Sequence, residues 1–246
     1  MKPHVFFLVI CILIACSCNK DNSSTNHSVS LPKTYTEDVR NPSSGRTVVT
    51  YNVTYDANSR LLSLTAIPSP PILQFNYQYP TGNTLTMDLY NYGSLSIHEM
   101  VWLNSNGFID STFQFNDTND SSTEKYVYNS SQQPIQLKDY TYHSSGVIPY
   151  NTTNYTYDNN GNQVTMVDDL GNSETIDYYT NLVNNLSIGQ KFLYMNKNLV
   201  KTQNYTSGGT TYVITHYYTF DNSNRLIEDS AFSTVVNEIL IKSYTY

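Results

Sequence analysis

The sequence predicts an all-β fold: a long antiparallel meander of repeated hairpins, about ten or more strands, curled or closed into a barrel-like sheet. Three observations predict it. From about Tyr35 to Tyr246, apolar and aromatic residues alternate with polar ones in run after run. That period of two is the mark of strands with one buried and one wetted face, and it favours antiparallel pairing. All 23 tyrosines lie in this region, and Tyr, Thr and Val suit a pleated sheet while Asn, Asp, Ser and Gly suit turns. The runs are also separated by turns of one recurring pattern, and no window outside the N-terminal segment carries a helical apolar stripe.

Taken in order, residues 1–18 read as a signal segment. Lys2 precedes an apolar run from Val5 to Ile14, which suits the core of a secretory signal and is too short for a membrane-spanning helix. The run closes on Leu13-Ile14-Ala15-Cys16, which resembles a bacterial lipobox and implies lipidation of Cys16. Cys18 is the alternative, because "CNKD" resembles the start of many mature Bacteroidota lipoproteins. An ordinary secretory signal with incidental cysteines is the plainer reading. The three cysteines, Cys11, Cys16 and Cys18, all fall here. Residues 19–246 must therefore rely on core packing and strand pairing rather than disulfides. Residues 19–33 lack periodic apolar positions and read as a flexible tether.

Residues 34–246 form the expected β domain. Val49, Tyr51, Val53 and Tyr55 share one face of a strand, and Phe75, Tyr77 and Tyr79 repeat the pattern, as do Leu85, Met87 and Leu89. Between strands, an Asp or Asn is followed by small polar residues and an apolar return, at Asp56, Asn104, Asn129, Asp158, Asn196 and Asp221. Such side chains accept backbone N–H groups in Asx-turns. Asn58, Gly107, Gly161 and Asn224 suit the positive-φ position of a short hairpin loop. Tyr55, Tyr79, Leu103 and Tyr128 are spaced by 24, 24 and 25 residues, the length of one hairpin, which indicates a repeat architecture.

Two stretches, "TYDANSRLLSL" and "TFDNSNRLIED", resemble the YD repeat of Rhs-type proteins. With the lipobox and the strand count, the chain also resembles a family of Bacteroidota lipoproteins of unknown function with a porin-like, barrel-shaped β fold. That resemblance implies a fold and an envelope location, on the periplasmic side or the cell surface, and no activity. The Tyr-Asp-Arg motif is complete only at Tyr55-Asp56-Arg60 and, with Phe for Tyr, at Phe220-Asp221-Arg225.

The chemistry is sparse. The Asp56–Arg60 and Asp221–Arg225 pairs read either as ligand-clamping charges or, more plainly, as Asx-turns with a surface ion pair worth about 0–1 kcal/mol. The Tyr-x-Tyr pairs, among them Tyr77 and Tyr79, Tyr126 and Tyr128, and Tyr155 and Tyr157, together with Trp102 on the parity opposite Val101 and Leu103, are a candidate ligand platform for stacking on sugars. The plainer reading is that tyrosines fill a half-buried sheet face. The acidic loop from Asp117 lacks the glycine and the closing glutamate of a calcium site, Asp168 and Asp169 read as a solvated turn, and no metal or cofactor is expected. There is no Gly-x-Ser-x-Gly and no cysteine in the β domain, so no catalytic residue is expected. The formal charge of −7 argues against nucleic acid, which needs a basic face. The sequence thus points to a lipid-anchored envelope protein with a non-catalytic binding or scaffolding domain, its partner a glycan or an envelope protein. The alternatives are an outer-membrane barrel or pore and, less so, a surface hydrolase.

Overall fold

The structure, a computed structural model, describes residues 31–67, 72–116, 121–143, 146–184 and 194–246. Cys16, Cys18 and most of the tether lie outside the described residues. Sixteen strands follow in chain order: β1 Thr34–Asn41, β2 Gly45–Tyr55, β3 Leu61–Ile67, β4 Leu73–Thr81, β5 Thr84–Asn91, β6 Ser94–Leu103, β7 Ile109–Asn116 and β8 Ser121–Tyr128. They continue as β9 Pro134–His143, β10 Gly146–Tyr157, β11 Gln163–Asp168, β12 Ser173–Val183, β13 Asn198–Ser207, β14 Thr210–Phe220, β15 Leu226–Ser233 and β16 Glu238–Thr245. Each pairs antiparallel with its chain neighbours, and β16 pairs with β1, so the sheet closes into a barrel. Closure removes the open edges that a long meander would otherwise present to other chains.

Pairing register shows which face is which. Tyr35 stands opposite Tyr51 and Tyr244, Leu64 opposite Val53 and Phe75, Leu89 opposite Phe75 and Ile97, and Leu85 opposite Val101. These are the buried residues, Leu61 at 0% and Leu64 and Leu85 at 1% exposure, so they face the lumen. Burying side chains of this size stabilises by roughly 1.5–3 kcal/mol each. The opposite parity faces out; on many strands it is hydroxyls and amides, while β6 to β8 also turn Trp102, Phe115 and Val127 outward. Thr36 pairs with Thr50 at 2.9 Å, Thr54 with Ser63 at 2.7 Å, Thr156 with Thr165 at 2.6 Å and Thr206 with Thr211 at 2.9 Å. Asp38, held between Arg40 and Arg46 at 2.6 and 2.9 Å, adds charge to this wall.

The loops sort to two ends. One end carries the loops after β2, β4, β6, β8, β10, β12 and β14 and the end of β16. The other carries shorter hairpins such as Asn41–Gly45 and Asn91–Ser94. A barrel of sixteen strands commonly leaves an aqueous channel. Here the first end is filled: Leu61, Leu85, Val101, Ile109 and Leu226 are buried there, and Tyr126 of β8, Tyr218 of β14 and Met195 pack against the same cluster.

Candidate functional site

The recurring turn is a five-residue Asx loop. At Asp56 the carboxylate Oδ1 accepts the N–H groups of Asn58 and Arg60 at 2.8 and 2.9 Å. Asn104, Asn129, Asp158, Asp168 and Asp221 accept from the residues two and four further on in the same way. The fourth residue of each loop has positive φ: Ser59, Gly107, Gln132, Gly161, Gly171 and Asn224. So Ser59, and not Asn58, takes the left-handed position, the fourth of the loop, where Gly107, Gly161 and Asn224 stand as expected. Asn196 heads no such loop; its Oδ1 accepts the N–H of Gln163 at 2.7 Å. Asp168 and Asp169, read as a solvated turn, lie in an Asx loop at the opposite end of the barrel.

Above these loops runs a rim of tyrosine hydroxyls. Tyr55 donates to the Pro32 carbonyl at 2.9 Å, Tyr79 to Leu61 at 3.0 Å, Tyr128 to Ile109 at 2.5 Å, Tyr157 to Pro134 at 2.7 Å, Tyr178 to Gln163 at 2.6 Å and Tyr246 to Leu226 at 3.0 Å. Tyr79, Tyr128, Tyr157 and Tyr246 tie the end of one strand to the start of another, Tyr55 ties β2 to the segment before β1, and Tyr178 ties the middle of β12 to the start of β11. The arginine of the Tyr-Asp-Arg motif belongs to this rim: Arg60 bonds Asp56 at 2.6 Å and lies 4.1 Å over the ring of Tyr79, and Arg225 lies 4.4 Å over Tyr246. Where arginine is missing, Phe108 stacks on Tyr128 with ring centroids 6.1 Å apart. The Arg60 N–H, followed by its guanidinium, holds the Asp56 carboxyl below the usual carboxylate range, and Arg225 does the same for Asp221. These pairs are turn hardware.

The candidate platform tyrosines are placed accordingly. Tyr77 is in the core at 3% exposure, Tyr79, Tyr128 and Tyr157 are rim ties, and Tyr126 and Tyr155 lie on the lumen face, Tyr126 donating to Glu124 at 2.9 Å. All six share the inward parity, with Tyr77 buried and the other five partly buried. Trp102 faces out at 39% exposure, between Thr84 and Ser111 on the flanking strands. Near it on the outer wall, the rings of Phe115 and His98 lie tilted with centroids 4.9 Å apart, and His98 Nδ1 meets Asp88 Oδ1 at 2.5 Å.

Two polar regions were not legible as sites. Within the lumen, Glu124 stands directly opposite Asp139, which stands opposite Asn151, while Glu99 lies on the same face of β6. Burial, reinforced by the charge of Glu124, pushes the Glu99 carboxyl up to about 7 and that of Asp139 up to about 6. Further round, Asp229, His216, Gln203 and Glu174 form a hydrogen-bonded chain with links of 2.9, 2.9 and 3.0 Å. Among the described residues, no group of three His, Cys, Asp or Glu is placed to hold a metal ion. Residues 117–120 of the acidic loop lie outside the described residues.

The second region is a cleft in the wall. Pairing of β11 with β12 stops at Thr165–Thr175, and pairing of β12 with β13 breaks between Tyr178 and Val183. The gap between these strands holds a cavity of about 290 Å³ with Val164 and Ile176 on its lining. Asn162 and Asn198, 2% and 8% exposed, lock together at its back: Asn162 Nδ2 donates to Asn198 Oδ1 at 3.1 Å and the Asn198 N–H to Asn162 Oδ1 at 2.9 Å. Asn160, Asp177, Thr180 and Lys197 also line it and are exposed. Burial works to raise the Asp158 carboxyl, but the hydrogen bonds from Asn162 and Asn160 outweigh it and hold the group low.

The class of protein this architecture defines is a closed, antiparallel, porin-like β-barrel. A porin-like protein from Bacteroides uniformis superposes with a TM-score of 0.64 at 12% identity, covering 88% of this chain and 98% of that one. A second, from Bacteroides vulgatus, gives 0.59 at 10% identity, with the same coverage. At that identity the likeness is one of fold. No protein-family model matches the chain, and no curated protein matches its sequence.

Proposed function

We propose that this chain is a lipid-anchored cell-envelope protein whose barrel stands in water as a non-catalytic binding or scaffolding module. The observation that carries the reading is the polarity of the wall. A barrel in lipid needs an outward apolar band with its polar residues inside. Here Gln74, Asn76 and Gln78, then Thr86 and Asp88, share the parity opposite to the buried Phe75, Tyr77 and Leu85, Met87 and Leu89. The filled end of the lumen supports binding or scaffolding over conduction. Lipidation at Cys16, or at Cys18, would hold the barrel to the membrane through the tether.

A second reading, an outer-membrane barrel, is favoured by the closed ring of sixteen strands and by the porin-like neighbours. Outward apolar residues such as Val48, Val127, Tyr217 and Phe232, at 48, 41, 61 and 36% exposure, would serve it. One experiment separates the two. Residues 33–246 produced without signal or lipid are expected to elute from gel filtration in plain buffer as a monodisperse species with a β-type circular dichroism spectrum. Material that folds only in detergent or lipid would establish the membrane barrel instead.

A further inference from the structure

We infer that the wall cleft between β11, β12 and β13 is a saccharide-binding site for a neutral ligand of one or two rings. The inference rests on the binding-module reading and gives it a place and a ligand class. The cleft is built by a departure from the barrel rather than by chance roughness. β12 leaves its partner on one side after Thr175 and on the other after Tyr178. The opening this leaves would weaken the wall unless something braced it. Tyr178 does so, its hydroxyl bonded to the Gln163 carbonyl at 2.6 Å, and so does the Asn162–Asn198 pair behind it. Asn198 Nδ2 also reaches the Leu182 carbonyl at 3.3 Å and Asn162 Nδ2 the Asp158 carboxylate at 3.0 Å. Nearly buried amides with their hydrogen bonds satisfied are a rigid back wall, which spares a ligand the ordering cost of binding.

The lining chooses the ligand. Asp158 and Asp177 are set against Lys197, a net charge of −1 that disfavours an anion and is too small to hold a polycation. Carboxylate oxygens accept hydroxyl hydrogens and a lysine donates to hydroxyl oxygens, so vicinal hydroxyls find both partners. Val164, Ile176 and the ring of Tyr178 supply the apolar surface on which the C–H face of a sugar ring rests. The exposed Asn160 and Thr180 complete a polar mouth. A volume of about 290 Å³ sits at the lower end of small-ligand pockets, roughly 300–1,000 Å³, which limits the occupant to one or two rings.

The test is a titration of the purified full-length chain, labelled with ¹⁵N, with glucose, galactose, mannose, N-acetylglucosamine, N-acetylgalactosamine and chitobiose. Saturable amide shifts are expected with at least one sugar at Asn160, Asp177, Thr180 and Lys197. The double substitution Asp177→Ala with Lys197→Ala, at two exposed positions, should weaken that sugar about tenfold, equivalent to about 1.4 kcal/mol, while leaving the dispersed spectrum of the folded barrel intact. No saturable shift at these amides with any sugar overturns the inference, as does an affinity unchanged by the double substitution. Shifts centred on Trp102 and Phe115 would keep a binding role and remove it from the cleft. A chain that needs detergent would count against the water-exposed barrel, yet the same titration in detergent would still decide the cleft.

Discussion

At the scale of single residues, the tyrosine hydroxyls of the rim do what the spacing of 24 to 25 residues repeats them for. Each donates to a backbone carbonyl of another segment in a part-buried setting, where losing the donor is costly. Replacing Tyr128 or Tyr157 with Phe should lower stability by about 0.5–1.5 kcal/mol each. The two losses should couple rather than add, since Pro134, whose carbonyl accepts from Tyr157, stands opposite Tyr128 between β8 and β9; urea unfolding of both single variants and the double variant reads the coupling directly. The lumen carboxyls work in the other direction. Glu99 has its folded pKa raised from 4.5 to about 7, chiefly by burial. The folded chain therefore holds a proton that the unfolded chain has released, and the penalty of the charged group grows as the pH rises from about 4.5 through about 7. Glu99→Gln should stabilise the protein by on the order of 3 kcal/mol above pH 7, with the gain vanishing below about pH 4.5. A gain that persists at pH 4 would show that the substitution acts through packing instead.

At the scale of elements, the Asx loop was largely readable, because Asp and Asn at a strand end followed by Gly or Asn have few other uses. What could not be read was which of two adjacent polar residues, Asn58 or Ser59, takes the left-handed position in the first loop, or the partner across the rim. Arg60 and Tyr79 are too far apart in sequence for any local pattern to join them. The expectation of about ten or more strands holds at sixteen, and the exact number was not readable for a related reason. In β10 to β13 the lumen face carries Asn151, Thr153, Glu174 and Gln203 in place of apolar residues, so the alternation that marks the earlier strands fades there. Two loops test the geometry by contrast. Gly107 and Gly161 have nearly the same φ, +83° and +87°, but an added Cβ meets nothing at Gly107 and would come 3.1 Å from the Tyr194 hydroxyl at Gly161. Gly107→Ala should cost only the left-handed penalty, about 1–2 kcal/mol. Gly161→Ala should cost more, because Tyr194 also donates to the Gly161 carbonyl at 2.6 Å. Equal shifts in thermal midpoint for the two variants would mean that Tyr194 yields freely.

At the scale of the whole molecule, curling or closing was expected from the length of the meander, and the ring is closed. The sense of the wall was harder to foresee. Period-two patterning marks two faces without saying which one a closed sheet turns inward, and that is why the Tyr-x-Tyr pairs, read as a candidate platform, lie in the core, the lumen and the rim. The cleft was invisible for a different reason: it arises from where pairing stops, and that depends on strands that meet only in the folded barrel. Removing β16 by ending the chain after Ser233 should leave β1 and β15 as long open edges, so the truncated chain should form β-rich aggregates where the intact barrel stays dispersed. Light scattering of the two at equal concentration measures it, and a truncated chain that stays monomeric would show that the ring tolerates a gap.

The seam sets the timing of assembly. Thr34 meets Thr245 across 211 positions of chain, so the last ladder cannot form until nearly the whole polypeptide has been delivered to the compartment where it folds. Until then the first strand waits with one side unsatisfied while its successors add on in order, each closing only a short loop. The rate at which the chain becomes functional is then governed by one slow long-range encounter at the finish rather than by fifteen fast local ones, and the interval before that encounter is when a chaperone would have most to shield.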